Sequence, residues 1–315
     1  MSKTVIIAGQ GALPGHLAAT LKAQGAPFLV AEMEGFPARV PGPDPIRFRV
    51  ERLVPFLDHL AARGVTQVSF AGAIRRPRLE PEMFDARTAT LVPRLLAALQ
   101  AGDDAALRVV IGIFEEWGFA VVGAQEIAPE LLPHEGVLTL AGPAAPQEAD
   151  AELGEVVVAD MGRADLGQAC IIAANRIVAR EGEDGTDALL RALLPLPDPD
   201  EADARWRGAD PLSMAIDAVI DLLTDHVLAA RGRAAPEGPG PAEGGILFKA
   251  PKPNQDLRAD LPVIGPQTAM LAAEAGLSGI VIEAGGVMVL DLGRVVQILD
   301  GLGMFLWVRP RGWRR

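Results

Sequence analysis

Short apolar runs alternate with longer amphipathic stretches along most of the chain. Thr4–Ala8 is continuously apolar, Gly9-Gln10-Gly11-Ala12-Leu13-Pro14-Gly15 follows, and an amphipathic segment to about Gln24 leads to a second apolar run at residues 27–32. Strand, glycine loop, helix and strand in that order open a doubly wound α/β domain. A helix near residues 51–63 and a strand near Gln67–Ala71 continue it. Gly102-Asp103-Asp104 reads as a helix N-cap, because Leu107, Val110, Ile111 and Phe114 then fall on one face and Gly118 ends the run. Residues 119–123 form the next strand.

The proline- and glycine-rich residues 141–146 read as a linker and place a domain boundary near residue 145. The reading is therefore α/β throughout: a Rossmann-like, doubly wound parallel sheet at 1–140 and a mixed α/β catalytic domain at 145–308. In the second half, Ala169–Ala173 and residues 176–179 make a hairpin around Asn175, and residues 181–187 lead into a leucine-rich helix. Residues 195–210 are rich in Pro and Asp, a helix covers about 211–230 with Asp217, Asp221 and Asp225 on its wet face, and residues 231–245 form a tether. A helix after Pro266, a strand at Gly279–Glu283, a turn at Gly285-Gly286, a strand at 287–290, and a last helix and strand ending at Val308 complete the pattern.

Composition narrows the class. The chain has 315 residues, half of them hydrophobic, with 4% aromatic residues and no tyrosine, so its cores are aliphatic, as in buried parallel strands. A net charge of −12 excludes a nonspecific nucleic-acid binder, which needs a basic surface. Cys170 is the single cysteine, which excludes an internal disulfide and a thiolate zinc site and points to a reducing cytoplasm; in an apolar strand it is a small core residue. The first residues run straight into a strand without a signal peptide, and no segment approaches the roughly 20 uninterrupted apolar residues of a membrane span.

The chemistry concentrates in residues 249–265. Lys249, Lys252, Gln255, Asp256, Arg258 and Asp260 share a segment whose prolines forbid a regular helix. If the part after Pro253 is extended, Asp256, Arg258 and Asp260 share one face. Asp256 and Arg258 could equally satisfy each other as a structural ion pair. Elsewhere, the Gly9-x-Gly11 loop lacks the third small residue of a dinucleotide fingerprint, since Pro14 sits there. That disfavours a nicotinamide cofactor and leaves an anion site or a tight turn. In Gly185-Thr186-Asp187, Thr186 is either a helix cap or, with the glycine before it, a place for a ligand to approach. Arg75-Arg76-Pro77-Arg78 is either solvated surface or a phosphate site. His16, His59, His134 and His226 have no metal-ligand spacing. The end of the chain, Trp307 to Arg315, combines two tryptophans with four arginines, the chemistry of a membrane-interface contact or of a frayed tail.

The pattern K-x-x-K-P-x-Q-D-x-R-x-D-x-P-x-I-G, met at every fixed position from Lys249 to Gly265, resembles the signature of the LpxI-type UDP-2,3-diacylglucosamine pyrophosphatases. Ile7-Ala8-Gly9-x-Gly11-x-Leu13-Pro14, Gly102-Asp103-Asp104-x-x-Leu107-Arg108, Gly118-Phe119-x-Val121-Val122-Gly123, Gly167-Gln168, Glu183-x-Gly185-Thr186-Asp187 and Ala275-Gly276-Leu277-x-Gly279-Ile280 extend the likeness in order. It departs at residues 195–244, an expected insertion where the family passes by a short loop, a thermodynamically mild change.

The resemblance implies two domains enclosing the substrate and a cytoplasmic lipid A pathway enzyme. Such an enzyme cleaves UDP-2,3-diacylglucosamine to UMP and 2,3-diacylglucosamine 1-phosphate (lipid X) with Mg²⁺. It also implies transient contact with the cytoplasmic face of the inner membrane and leaves a homodimer open. On that basis Asp260, supported by Asp256, binds Mg²⁺ or orients the attacking water, while Lys249, Lys252 and Arg258 hold phosphoryl oxygens and Gln255 positions a hydroxyl or phosphate. Gly185, Thr186 and Asp187 meet the sugar phosphate, and Gly9, Gly11, Leu13, Arg75 and Arg76 the nucleotide side. A non-catalytic nucleotide-sugar or lipid-binding regulator is the alternative of a different class.

Overall fold

The computed structural model describes residues 2–42, 44–74, 78–100, 102–182, 184–194, 240–253 and 255–312. The helix expected at 211–230, the tether up to residue 239, Arg75, Arg76 and residues 313–315 lie outside the described residues.

The first half is a five-stranded parallel sheet. β1 (Thr4–Ala8) lies at its centre between β2 (Phe28–Met33) and β4 (Gln67–Ala71), with β3 (Ile46–Phe48) and β5 (Ala120–Val121) at the edges. All five residues of β1 are buried because helices cover both faces, which is why its sequence is apolar without alternation. Val5 and Ile7 point to one side, among residues of α2 (Leu53–Ala62) and α5 (Asp103–Glu116). Ile6 and Ala8 point to the other, against Leu13, Leu17 and Leu21 of α1 (Leu13–Ala23). Pro14 sits in the first turn of α1, where a missing amide costs nothing. Short helices α3 (Ala86–Ala89) and α4 (Val92–Gln100), which the sequence pattern did not mark, precede α5, and α6 (Ala124–Ile127) follows β5.

The second half is a six-stranded mixed sheet. β6 (Gly136–Val137), β7 (Ala169–Ala173), β8 (Arg176–Arg180), β9 (Ile246–Lys249), β11 (Gly279–Glu283) and β13 (Phe305–Arg309) run in the order β6-β13-β11-β9-β7-β8, with β9, β11 and β13 mutually parallel. The remaining two, β10 (Val263–Ile264) and β12 (Met288–Val289), form a separate parallel ladder, so the strand expected at 287–290 does not join the main sheet. α7 (Ala145–Arg163) covers one face of that sheet, and α8 (Thr186–Arg191), α9 (Pro266–Glu274) and α10 (Leu292–Gly301) cover the other.

Three expectations change. Gly136–Val137 pairs with β13, so the chain enters the second sheet before residue 136 and not near 145. Residues 141–146 are no linker, because α7 begins inside them at Ala145. The pattern hid α7 because its buried face includes Asp150 and Gly154; a Cβ at Gly154 would fall 2.6 Å from the Phe248 ring, so glycine lets helix and sheet approach. Finally, Trp307 and Arg309 are buried in β13, with Arg309 Nη1 donating to Glu155 at 2.5 Å and its guanidinium 5.8 Å from the Trp307 ring. Neither residue is available to a membrane surface. No described helix is long and apolar enough to cross a membrane.

Candidate active site at the domain seam

Strand β9 delivers Lys249 to the end of the second sheet, and the chain then turns toward the first domain. The segment is not extended. The Asp256 carboxylate accepts from the Arg258 backbone N–H at 3.1 Å, and the Asp256 carbonyl accepts from the amides of Ala259 and Asp260, both at 3.2 Å. An aspartate closing its own turn in this way separates Asp256 from Asp260, correcting the single ionic face that an extended chain would present. Beyond the turn, Leu261 and Met288 pack with Ile6, Leu13 and Leu17 of the first domain, so the two domains share a core here.

Asp256 is committed to Arg258. Arg258 Nε donates to Oδ1 at 3.0 Å and Nη2 to Oδ2 at 2.8 Å, while Nη1 reaches Glu115 on α5 at 2.6 Å. Hydrogen bonding from Arg258 holds the Asp256 carboxyl below the usual carboxylate range against the opposing effect of burial. Asp256 thus ties the turn and, through Arg258, the two domains. It is not placed as a metal ligand or as a second catalytic carboxylate.

Asp260 has the opposite character. Burial pushes its carboxyl above the usual range, and nearby Asp104 adds to this. A hydrogen bond from Gln255 and the charges of Lys252 and Lys249 oppose the rise. Gln255 Nε2 donates to the Asp260 carboxylate and carbonyl and, at 3.1 Å, to Gln168 Oε1, while Gln255 Oε1 accepts from the Lys252 amide at 2.9 Å. A carboxylate made more basic and held in one orientation suits a general base.

The two lysines differ. Lys252 Nζ lies 2.7 Å from Asp165 and 3.7 Å from Asp104 at the start of α5. Burial lowers its proton affinity, but the hydrogen bond to Asp165 and the charges of Asp104 and Asp260 leave it raised overall. Lys249 is 4% exposed, and its ammonium donates to Thr186 Oγ1 at 2.5 Å. Burial lowers its proton affinity, opposed by Glu181, Asp187 and Asp260. Thr186 in turn donates to Glu181 Oε1 at 2.5 Å, and the helix cap is Gly185, at φ +83°, so Thr186 is not a side-chain cap. Asp187 accepts from Thr268 at 3.3 Å inside the second domain. Lys249, Gly185, Thr186 and Asp187 are not among the residues that line the interdomain cleft, and neither are Lys252 and Gln255, which reach it through Asp260.

That cleft has a volume of about 300 Å³. Gln10, Gly11, Ala12 and Leu13 form one wall, and Gln168, Arg258, Asp260 and Leu261 lie opposite. Gly9 does not line it. A Cβ there would fall 2.6 Å from the Ala73 carbonyl, and its absence lets Gln10 and Ala73 exchange backbone hydrogen bonds of 2.8 and 2.9 Å that shape the rim. Gln125 also lines the cleft and donates to the Leu257 carbonyl at 3.2 Å.

Sequence reasoning assigned no site role to Asp104, Glu115, Asp165, Gln168 or Glu181, although Asp104 and Gln168 stand in stretches that carried the resemblance. Glu181 gave a usable signal, a carboxylate directly after a strand and before Gly182; its seat is so tight that a Cβ on Gly167 would fall 2.6 Å from its carbonyl oxygen. Among the described residues no three metal-ligating side chains converge. Asp104 and Asp165 both face Lys252, and Asp104 also lies near Asp260.

The family model for the LpxI N-terminal domain matches residues 3–131, and that for the LpxI C-terminal domain matches 134–203 and 213–307. The chain belongs to the LpxI family. It is 36% identical over 310 residues to the UDP-2,3-diacylglucosamine pyrophosphatase LpxI of Caulobacter vibrioides, covering 97% of each chain. The two LpxI models meet between residues 131 and 134, just ahead of β6, where the sheets also change over. They leave out only residues 204–212 within the expected insertion at 195–244, so most of that stretch aligns with the LpxI C-terminal domain.

Proposed function

We propose that this protein hydrolyses the pyrophosphate bond of UDP-2,3-diacylglucosamine, giving UMP and 2,3-diacylglucosamine 1-phosphate, and so serves lipid A biosynthesis. The observation that carries the reading is Asp260: a carboxylate of raised basicity, fixed by Gln255, on the wall of a cleft between the two LpxI domains.

Water adds across the P–O–P link. Its oxygen bonds to the phosphorus nearer the sugar, one of its protons goes to Asp260, and UMP departs with the bridging oxygen. Gln255 keeps the carboxylate oxygen aimed during that transfer. Lys252 brings a positive charge to a site where negative charge accumulates on phosphoryl oxygens. The start of α1, opposite Asp260, offers backbone amides to the nucleotide phosphate, with Gly11 at φ +102° shaping the approach.

Mg²⁺ fits one part of this donor set. Asp256 is filled by Arg258, but Asp104, near Asp260, would supply a carboxylate of the kind Mg²⁺ takes alongside water and substrate phosphate, leaving Asp260 to accept the proton. The ion would neutralise charge on the phosphoryl oxygens. The lipid substrate brings the protein to the cytoplasmic face of the inner membrane as a transient visitor.

The test is incubation of the full chain with UDP-2,3-diacylglucosamine, with and without Mg²⁺, in H₂¹⁸O, scored for UMP. Metal-dependent UMP release with label in lipid X supports the reading; label in UMP overturns the point of attack, and no release overturns the activity.

A further inference from the structure

We infer that Glu181 is a positioning residue for hydrolysis, one carboxylate that fixes both the Thr186–Lys249 pair and the Gln168–Gln255 relay to Asp260. The inference rests on the reading of Asp260 as the reacting carboxylate. Glu181 is 6% exposed, so it meets no substrate itself. Its Oε1 accepts the Thr186 hydroxyl proton at 2.5 Å, and its Oε2 accepts the Gln168 backbone N–H at 2.5 Å.

Lys249 Nζ donates to Thr186 Oγ1, and the Thr186 hydroxyl donates onward to Glu181. Gln168 likewise offers an amide hydrogen. Both oxygens of residue 181 therefore face donors, and only a carboxylate provides two acceptors. A carboxamide would set its NH₂ against one of them, a donor against a donor in a buried place. Gln168, once held, presents its own side-chain oxygen to Gln255 Nε2 at 3.1 Å, and the same Gln255 nitrogen reaches the Asp260 carboxylate. A shift of Gln168 thus passes to Asp260 through a single amide group. Misplacement of a reacting group by about 1 Å costs on the order of 100-fold in rate.

The experiment measures kcat and KM of the full chain with UDP-2,3-diacylglucosamine for wild type, E181Q, E181D, Q255A, E181Q/Q255A and D260N, each with a thermal melt. E181Q is expected to lose about 10–100-fold in kcat with KM within about threefold of wild type. E181D, which keeps both acceptors, should recover much of that loss. The double variant should be little slower than the slower single one, because both changes act on the same orientation of Asp260. Wild-type kcat in E181Q, a loss carried by KM, no recovery in E181D, or additive effects with Q255A would each overturn the proposal. Should E181Q not fold, Q168A takes its place: it removes the side-chain oxygen through which Glu181 acts on Gln255, and unchanged kcat there refutes the inference. D260N separates the two readings. If it stays active, the role of Asp260 fails; if it is inactive while E181Q is normal, only the role of Glu181 fails.

Discussion

Arg258 holds both carboxylate oxygens of Asp256, at 3.0 and 2.8 Å, and leaves Asp260, four residues on, to a different environment. Two aspartates of one motif thereby meet different surroundings: one closes a turn and joins the domains, the other is held by Gln255 on the cleft wall. D256N should consequently keep kcat within about tenfold of wild type, well short of the 10²–10⁴-fold typical of losing a general base.

The same pair sets a pH dependence. The folded-state pKa of Asp256 lies below its unfolded value, so its contribution is fully present above the usual carboxylate range and is lost as pH falls through the depressed folded value. Arg258 is partly exposed, which limits the contribution to about 1 kcal/mol or less. Urea melts should show D256N less stable than wild type at pH 7, with the gap closing as the solution is acidified below the usual carboxylate range.

Asp260 reverses that sign. Its folded pKa is raised chiefly by burial, so its contribution is present below the unfolded value and is lost as pH rises through the folded one. D260N removes the buried charge while keeping the shape. It should melt higher than wild type at pH 7, by about 2–4 °C per kcal/mol relieved, and the difference should vanish in acid. A lower melting temperature at pH 7 would contradict the desolvated carboxylate described above.

Asp104 lies near Asp260 across the domain seam, and Lys252 sits 3.7 Å from it. If Asp104 shares the metal, D104N should raise the Mg²⁺ concentration for half-maximal activity about 10–100-fold, with restoration at saturating metal. A lower maximal rate at unchanged metal dependence would instead assign Asp104 to holding Lys252.

Cys170 is fully buried in β7, and burial pushes its thiol up to about 12. It should resist Ellman's reagent in the native protein and react once guanidinium unfolds the chain. Rapid labelling under native conditions would mean that β7 opens locally.

The pattern of apolar residues marked β1, β2, β4 and β11 closely, because strands covered on both faces are continuously apolar. It missed α7, whose buried face carries Asp150 and Gly154, and it could not show that Gly136–Val137 joins a strand 170 residues further along in Trp307–Val308. At the site, Lys252, Gln255 and Asp260 of the motif are brought together by hydrogen bonds through the Gln255 amide. The motif could not divide Asp256 from Asp260, because that division depends on a turn stabilised by the Asp256 side chain itself. Nor could it show that Lys249 is buried, since burial of a lysine needs Thr186 and Glu181, 63 and 68 positions earlier in the chain.

Whether Asp260, in the cleft between the LpxI domains, carries pyrophosphate hydrolysis is decided by UMP release from UDP-2,3-diacylglucosamine by wild-type and D260N protein, both shown to be folded. Mg²⁺-dependent release by wild type and a rate at least about 100-fold lower for D260N are expected. A D260N enzyme retaining more than about a tenth of the wild-type rate would contradict that role.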